Sequence, residues 1–249
     1  MATSGNNPNN ELLHSLDKLF KEGTYSDLTI TCGNDEYKVH KAIICPRSSF
    51  AKACGGLFQE GSTGVVSLPD DDPQTVRLMM HYFYHLDYPR QREIKHGFLK
   101  KSQSTNPKSD VVTNPSSTSG KTSNKTPKSA YSIPPPQGFE VPNLTIHARL
   151  YALAEKYDVQ GLKALALEKF KEEARIHWDS DDFIRAAEEA YTSTVDCDRG
   201  MRDAVVEAIH EHSIVLDKES MLNVVKRFDL CFDLKMRFIR DLLGRGFRF

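Results

Sequence analysis

Leu28-Thr29-Ile30-Thr31-Cys32-Gly33-Asn34-Asp35-Glu36-Tyr37-Lys38-Val39 holds two short alternating runs on either side of a turn. Leu28, Ile30 and Cys32 alternate with Thr29 and Thr31, the period of a half-buried strand. Tyr37 and Val39 alternate again on the way back, and Gly33-Asn34-Asp35 supplies the reversal, so the stretch predicts a β-hairpin. Directly after it the period changes. Ala42 to Cys45 and Ser48 to Cys54 read as two short helical pieces broken by Pro46, with Gly55-Gly56 marking the exit. Val65, Val66 and Leu68 predict a third short strand before Pro69. Asp70-Asp71-Asp72-Pro73 then reads as a helix start, with Asp72 capping and Pro73 in the first turn. Val76, Met79, Met80 and Phe83 follow at i, i+3, i+4 and i+7. Upstream of the hairpin, Leu12, Leu16, Leu19 and Phe20 lie at helical spacing, and Gly23 is a natural stop.

Farther along, only helices are predicted. Ile146, Leu150, Ala154 and Tyr157 share a helical face; Gly161 reads as the break, and Leu162, Leu165, Ala166 and Phe170 begin the next helix. Ile184, Ala187 and Tyr191 follow a cap at Ser180 or Asp181. Met201, Val205, Ala208 and His212 come next, then Met221, Leu222, Val225 and Phe228, and Leu234, Phe238 and Leu242 close the series. No strand is predicted after Val141. Strands and helices first, helices alone afterwards: the order predicts an α+β domain with an all-α extension.

The 249 residues carry 33 Lys+Arg against 34 Asp+Glu, and 39% of them are hydrophobic. That hydrophobic share is low for a packed chain, and the cause is local. Between Lys100 and Pro136 there are nine Ser, five Thr, six Pro and six Lys, with Asp110 as the only acid. Such a segment buries too little apolar surface to offset its ordering entropy, so it reads as disordered. It carries +5, leaving about −6 on the rest, so the near-neutral total is a cancellation. No apolar run approaches the roughly 18 residues of a bilayer span, and the first residues lack a basic start followed by an apolar core. The five cysteines, an odd number without paired close spacing, read as reduced thiols of a cytoplasmic or nuclear protein.

No catalytic constellation is present in the sequence: there is no GxSxG, GxxxxGK[ST], HExxH or CxxC. Gly61-Ser62-Thr63-Gly64 lacks the spacing of a nucleophile elbow. Cys32 and His40 bracket the hairpin, yet one Cys and one His on neighbouring strands are an incomplete ligand set. His210 and His212 lie about 200° apart on a helix and share no face. The reading is of a non-enzyme without cofactor, metal or small-molecule substrate.

Several segments resemble the BTB/POZ family. Tyr25-Ser26-Asp27-Leu28-Thr29-Ile30 is similar to the strand that opens that domain, and Tyr37-Lys38-Val39-His40-Lys41-Ala42-Ile43-Ile44 to its second strand running into a helix. Arg47-Ser48-Ser49-Phe50, then Val66-Ser67-Leu68 with its acids, then Val76 to Tyr88 continue the likeness. Leu150-Tyr151-Ala152-Leu153-Ala154-Glu155-Lys156-Tyr157 with Gly161-Leu162 resembles the last helical hairpin of the same domain. The resemblance therefore implies a short three-stranded sheet flanked by helices. It places a disordered N-terminus at 1–10, a BTB/POZ domain at 11–175 interrupted at about 91–142, and a helical region at 178–249. The interruption is similar to inserts in fungal BTB proteins. Lengthening a connection from about 6 to about 50 residues adds only about 2 kcal/mol of closure entropy.

What the resemblance implies for function is surface recognition of protein partners. Phe58-Gln59-Glu60 occupies the place where BTB domains that recruit a cullin-type ubiquitin ligase carry an apolar residue, any residue, then Glu. Asp27 and Lys41 match an acid and a base of a charged pocket near the groove of BTB dimers, and the favoured reading of them is a buried or half-buried ion pair holding strand against helix. Leu12, Leu16, Leu19 and Phe20 supply an apolar face either for a homodimer or for packing on their own domain. Thr126, before Pro127, is a candidate phosphosite. The last stretch, Leu234 to Phe249, carries +4 interleaved with Phe238, Phe247 and Phe249. A solvated basic face on a packed helix accounts for it, so neither membrane binding nor direct nucleic-acid contact is expected. Two functional readings follow: a cullin-ligase substrate adaptor, or a nuclear scaffold or transcription-associated factor acting through self-association.

Overall fold

Hairpin pairing begins the sheet. In the computed structural model, which describes residues 8–55, 63–89 and 142–245, β1 (Leu28–Cys32) and β2 (Asp35–Val39) are antiparallel, with Leu28 opposite Val39 and Cys32 opposite Asp35. β3 (Val65–Ser67) lies parallel to β1 on its other side, giving the order β2-β1-β3. The alternation seen in the sequence sets one face inward: Leu28, Ile30, Cys32, Val39 and Val66 are all buried. A sheet of three short strands cannot cover that face alone, so helices close it.

The first helix, α1 (Pro8–Glu22), ends where Gly23 turns back with φ 63° and bonds to the Leu19 carbonyl. It begins at Pro8, so the N-terminus expected to be disordered through residue 10 is helical from residue 8; proline is well placed in a first turn. α2 (Lys41–Ile44) passes through a 3-10 turn at Cys45–Arg47 into α3 (Phe50–Gly55). α4 (Pro73–His85) is capped by Asp72, whose Oδ2 accepts from the Thr75 amide at 3.0 Å. Its buried residues include Val76, Met79, Met80 and Phe83, the face read from the spacing.

After residue 141 the described chain is helical: α5 (Leu144–Lys156), α6 (Gln160–His177), α7 (Asp181–Thr192), α8 (Arg199–Glu211), α9 (Glu219–Arg227) and α10 (Leu230–Arg245). α5 packs on α4, and its end is tied to the first part of the chain. Phe50 stacks on Tyr157 at 4.8 Å, the Ser49 amide bonds to the Tyr157 carbonyl, and Lys156 pairs with Asp71 at 2.7 Å. The segments on either side of residues 91–141 thus form one compact unit. The segment expected to interrupt the domain, about 91–142, lies outside the described residues apart from Pro142.

Three expectations are corrected. The break between α5 and α6 is not at Gly161, which sits inside α6. The chain reverses earlier, where Asp158 takes φ 55°, and Gly161 is small because a Cβ there would collide with the Tyr82 hydroxyl. In α9 the inward residues are Met221 and Val224, while Leu222 is exposed; the helix meets the body along a narrower stripe than the periodicity suggested. In α10 the inward residues are Leu230 and Leu234, whereas Phe238 and Leu242 are exposed. Ser180, not Asp181, caps α7, accepting from the Phe183 amide at 3.1 Å.

Candidate partner-binding surfaces

No residue of α1 is fully buried. The lower end of the helix is nonetheless held on α4. Phe20 stacks on Tyr84 with ring centroids 4.7 Å apart, and Asp17 Oδ1 lies 2.8 Å from His85 Nε2. Burial raises the Asp17 pKa, but hydrogen bonds from Lys21 and His85 outweigh it and hold the carboxyl below its ordinary value. The other nitrogen of His85, Nδ1, lies 2.9 Å from the His81 carbonyl, so both ring nitrogens face acceptors. Of the four apolar candidates, Leu16, Leu19 and Phe20 are half-buried and Leu12 is 59% exposed. The stripe is divided: its C-terminal end packs on its own domain and its N-terminal end faces solvent.

Asp27 and Lys41 meet, but not as the expected ion pair of side chains. Asp27 is exposed, and its Oδ1 accepts from the Lys41 backbone amide at 2.7 Å. The reason lies in α2. His40, the residue before that helix, makes no side-chain cap bond, so the first amide is satisfied from the start of the neighbouring strand. The His40 ring is occupied elsewhere. Its Nε2 lies 2.8 Å from the Thr24 carbonyl, which only accepts, so Nε2 carries the proton and the Tyr84 hydroxyl donates to Nδ1 at 2.8 Å. Cys32 donates to the Asp71 carbonyl at 3.3 Å. Among the described residues no cluster of three His, Cys, Asp or Glu is arranged to hold a metal ion. Phe58-Gln59-Glu60 and Thr126 lie outside the described residues.

A second polar assembly was not foreseen. Tyr88, the last residues of α4's exit, and Asn143, just before α5, are joined through His147 and Glu173. The Tyr88 hydroxyl lies 2.7 Å from His147 Nδ1, and His147 Nε2 lies 2.8 Å from Glu173 Oε2. Glu173 Oε1 accepts from the Asn143 amide at 3.1 Å. A carboxylate accepts only, so Nε2 carries a proton, and with a neutral ring Tyr88 donates to Nδ1. Lys169 covers the group, bonding to the Tyr88 carbonyl at 2.9 Å with its ammonium over the Tyr88 ring. Burial raises the Glu173 pKa, yet the bonds from His147 and Asn143 outweigh it and leave the carboxyl below its ordinary value. These four residues clasp the two chain ends that flank residues 90–141. No periodic signal marks His147 or Glu173, because the partners are 26 residues apart.

The helical region is tied on by similar groups. Tyr151 donates to Asp198, which also pairs with Lys163 at 2.9 Å. Gly200 is small because a Cβ would collide with the Tyr151 hydroxyl. Tyr191 donates to Asp233 of α10 at 2.6 Å, and buried Arg202 bonds to Thr194 and Asp196.

The buried Tyr88, His147 and Arg202 and the half-buried Glu173 are each bonded to partners within the fold. A family model described as BTB/POZ domain matches residues 16–102. The chain therefore carries a BTB/POZ domain, a protein-interaction domain of α+β architecture, here followed by a helical C-terminal part. The matched residues run from α1 through α4. α5 and α6, which the sequence likened to the closing hairpin of that domain, lie beyond the match; α5 packs on α4, and α6 reaches the matched part through Lys169 at the Tyr88 carbonyl.

Proposed function

We propose that this chain is a self-associating adaptor that brings protein partners to a cullin-based ubiquitin ligase. What carries the reading is chain position. Phe58-Gln59-Glu60 follows α3 and precedes β3, inside the residues that the BTB/POZ model matches. An aromatic side chain there would enter a groove of the cullin, and the carboxylate two residues on would set register. Self-association is assigned to α1, on which Leu12, the N-terminal member of the apolar stripe, is 59% exposed. The scaffold reading shares that self-association and drops the ligase.

Pull-down of a cullin N-terminal domain by the full chain tests the adaptor. Retention at micromolar concentration, with loss of about 10-fold or more in a Phe58→Ala/Glu60→Ala variant, is expected from an aromatic anchor of about 2 kcal/mol. A folded wild-type chain that retains no cullin leaves the scaffold reading.

A further inference from the structure

α10 is apolar on two opposite faces. Leu230 and Leu234 are buried against the body at 0% and 5% exposure. On the other side, Phe232, Met236, Ile239 and Leu243 follow at i, i+4, i+7 and i+11. At 100° per residue they fall within about 60° of one another and roughly opposite the buried pair. Phe232 is 62% and Leu243 60% exposed. One core satisfies one stripe of a helix; a second, outward stripe needs a second surface.

The stripe borders a groove of about 480 Å³ between α8 and α10, with Val206 and Met236 among its lining residues. The charges around it are sorted. Arg237 is engaged by Glu207 at 2.9 Å and Arg199 by Asp203 and Asp233 at 2.8 and 3.0 Å. Lys235 and Arg240, which flank the stripe on its two sides, have no ion pair among the described residues. The uncompensated charge along the stripe is therefore positive on both edges.

We infer that this face of α10 binds an acidic amphipathic helix of a partner protein, of about three turns to match the stripe. Charge complementarity selects that occupant. A second copy of α10 laid parallel would set Lys235 against Arg240, and laid antiparallel would set each against its own counterpart, so a homotypic contact is repelled. The chain's own segment from Lys100 to Pro136 carries +5 and is repelled in the same way. An anionic bilayer is flat and broad, so burying the stripe, only about 60° wide, would also press the paired charges of Arg199, Asp203, Glu207, Asp233 and Arg237 on the adjoining wall into it, whereas a single helix need cover only the stripe. An acidic helix is narrow enough to lie along the stripe with its carboxylates set against Lys235 and Arg240, and an aliphatic or aromatic row on it covers Phe232, Ile239 and Leu243. This goes beyond the adaptor reading and holds whether or not a cullin binds; within that reading it supplies the place where cargo is read.

The test uses the full chain and two labelled helical peptides with the same Leu row, one flanked by Glu and one by Lys, followed by fluorescence anisotropy. The Glu peptide is expected to bind at least about 10-fold more tightly than the Lys peptide, with the preference weakening as salt rises. Ile239→Asp/Leu243→Asp is expected to abolish binding. Lys235→Glu/Arg240→Glu, which touches no buried contact and keeps the fold by circular dichroism, is expected to reverse the preference. Equal binding of the two peptides, or none of the Glu peptide, overturns the inference. So does α10-dependent self-association in sedimentation, or cosedimentation with phosphatidylserine vesicles that Ile239→Asp/Leu243→Asp removes.

Discussion

Glu173 shows how a single carboxylate holds together chain segments far apart in sequence. It receives His147 from α5 and the Asn143 amide ahead of that helix, and through His147 it reaches Tyr88. Replacing it by Gln removes the charge but keeps the shape. Glu173→Gln is expected to cost about 1–3 kcal/mol of unfolding free energy in urea at neutral pH. The pH dependence follows from the direction of the shift. The folded carboxyl titrates below its ordinary value, so its contribution is fully present above about pH 4.3 and is lost as pH falls through the folded value. Stability against pH for the wild type should therefore fall toward that of Glu173→Gln in acid, and the two curves should converge. Curves that stay parallel down to about pH 3 would contradict the assignment. Tyr88 was legible as the end of a helical segment, but nothing in the local sequence pairs it with His147.

At the scale of elements, the caps separate what is local from what is not. Asp72 caps α4 and Ser180 caps α7 from their own chain neighbourhood, and both were readable as polar residues before an apolar period. α2 and α5 are different. Asp27 at the start of β1 serves α2, and Asp182 in the first turn of α7 reaches the Thr145 amide and hydroxyl at the start of α5. The residues next to those helices, His40 and Asn143, make no side-chain cap bond, so a search of their own neighbourhood misses the donor's partner. Asp72→Ala is expected to destabilise by about 1 kcal/mol, measured by thermal or urea unfolding. An unchanged midpoint would mean that water serves the Thr75 amide equally well. α10 carries the same lesson in its apolar residues: periodicity located Leu234, Phe238 and Leu242, but contact with the body selected Leu230 and Leu234 instead.

For the molecule as a whole, the clasp at Tyr88, His147, Glu173 and Asn143 joins the two ends that flank residues 90–141. Replacing residues 91–141 by a short Gly/Ser linker is expected to leave the far-ultraviolet circular dichroism and the cooperative unfolding transition in place. Closure entropy alone makes the shortened chain more stable by about 2 kcal/mol. Loss of folding in that variant would place structural contacts inside the deleted segment. Sedimentation of the same variant reads self-association separately: a dimer that Leu12→Glu dissociates is expected if α1 is the contact, and a monomer at every concentration removes that half of the proposal. Leu12 is suited to this because its exposure keeps the substitution from disturbing the domain itself.

The alternation of Leu28, Ile30 and Cys32, the turn at Gly33-Asn34-Asp35, the Asp72-Pro73 start and the heptad-like face of α4 were determined by sequence alone, and with them the class of the domain. Each depends on contacts between residues close in the chain, where period and cap are set by backbone geometry. Only the tertiary structure decided that residues 8–55, 63–89 and 142–245 share one body, that Asp27 serves a backbone amide and not an ammonium, and that α1's apolar stripe is half occupied. It also decided which of α10's two faces is left outward. These turn on which surfaces meet across 14 or more residues of chain, and burial of a side chain is settled by its neighbour in space.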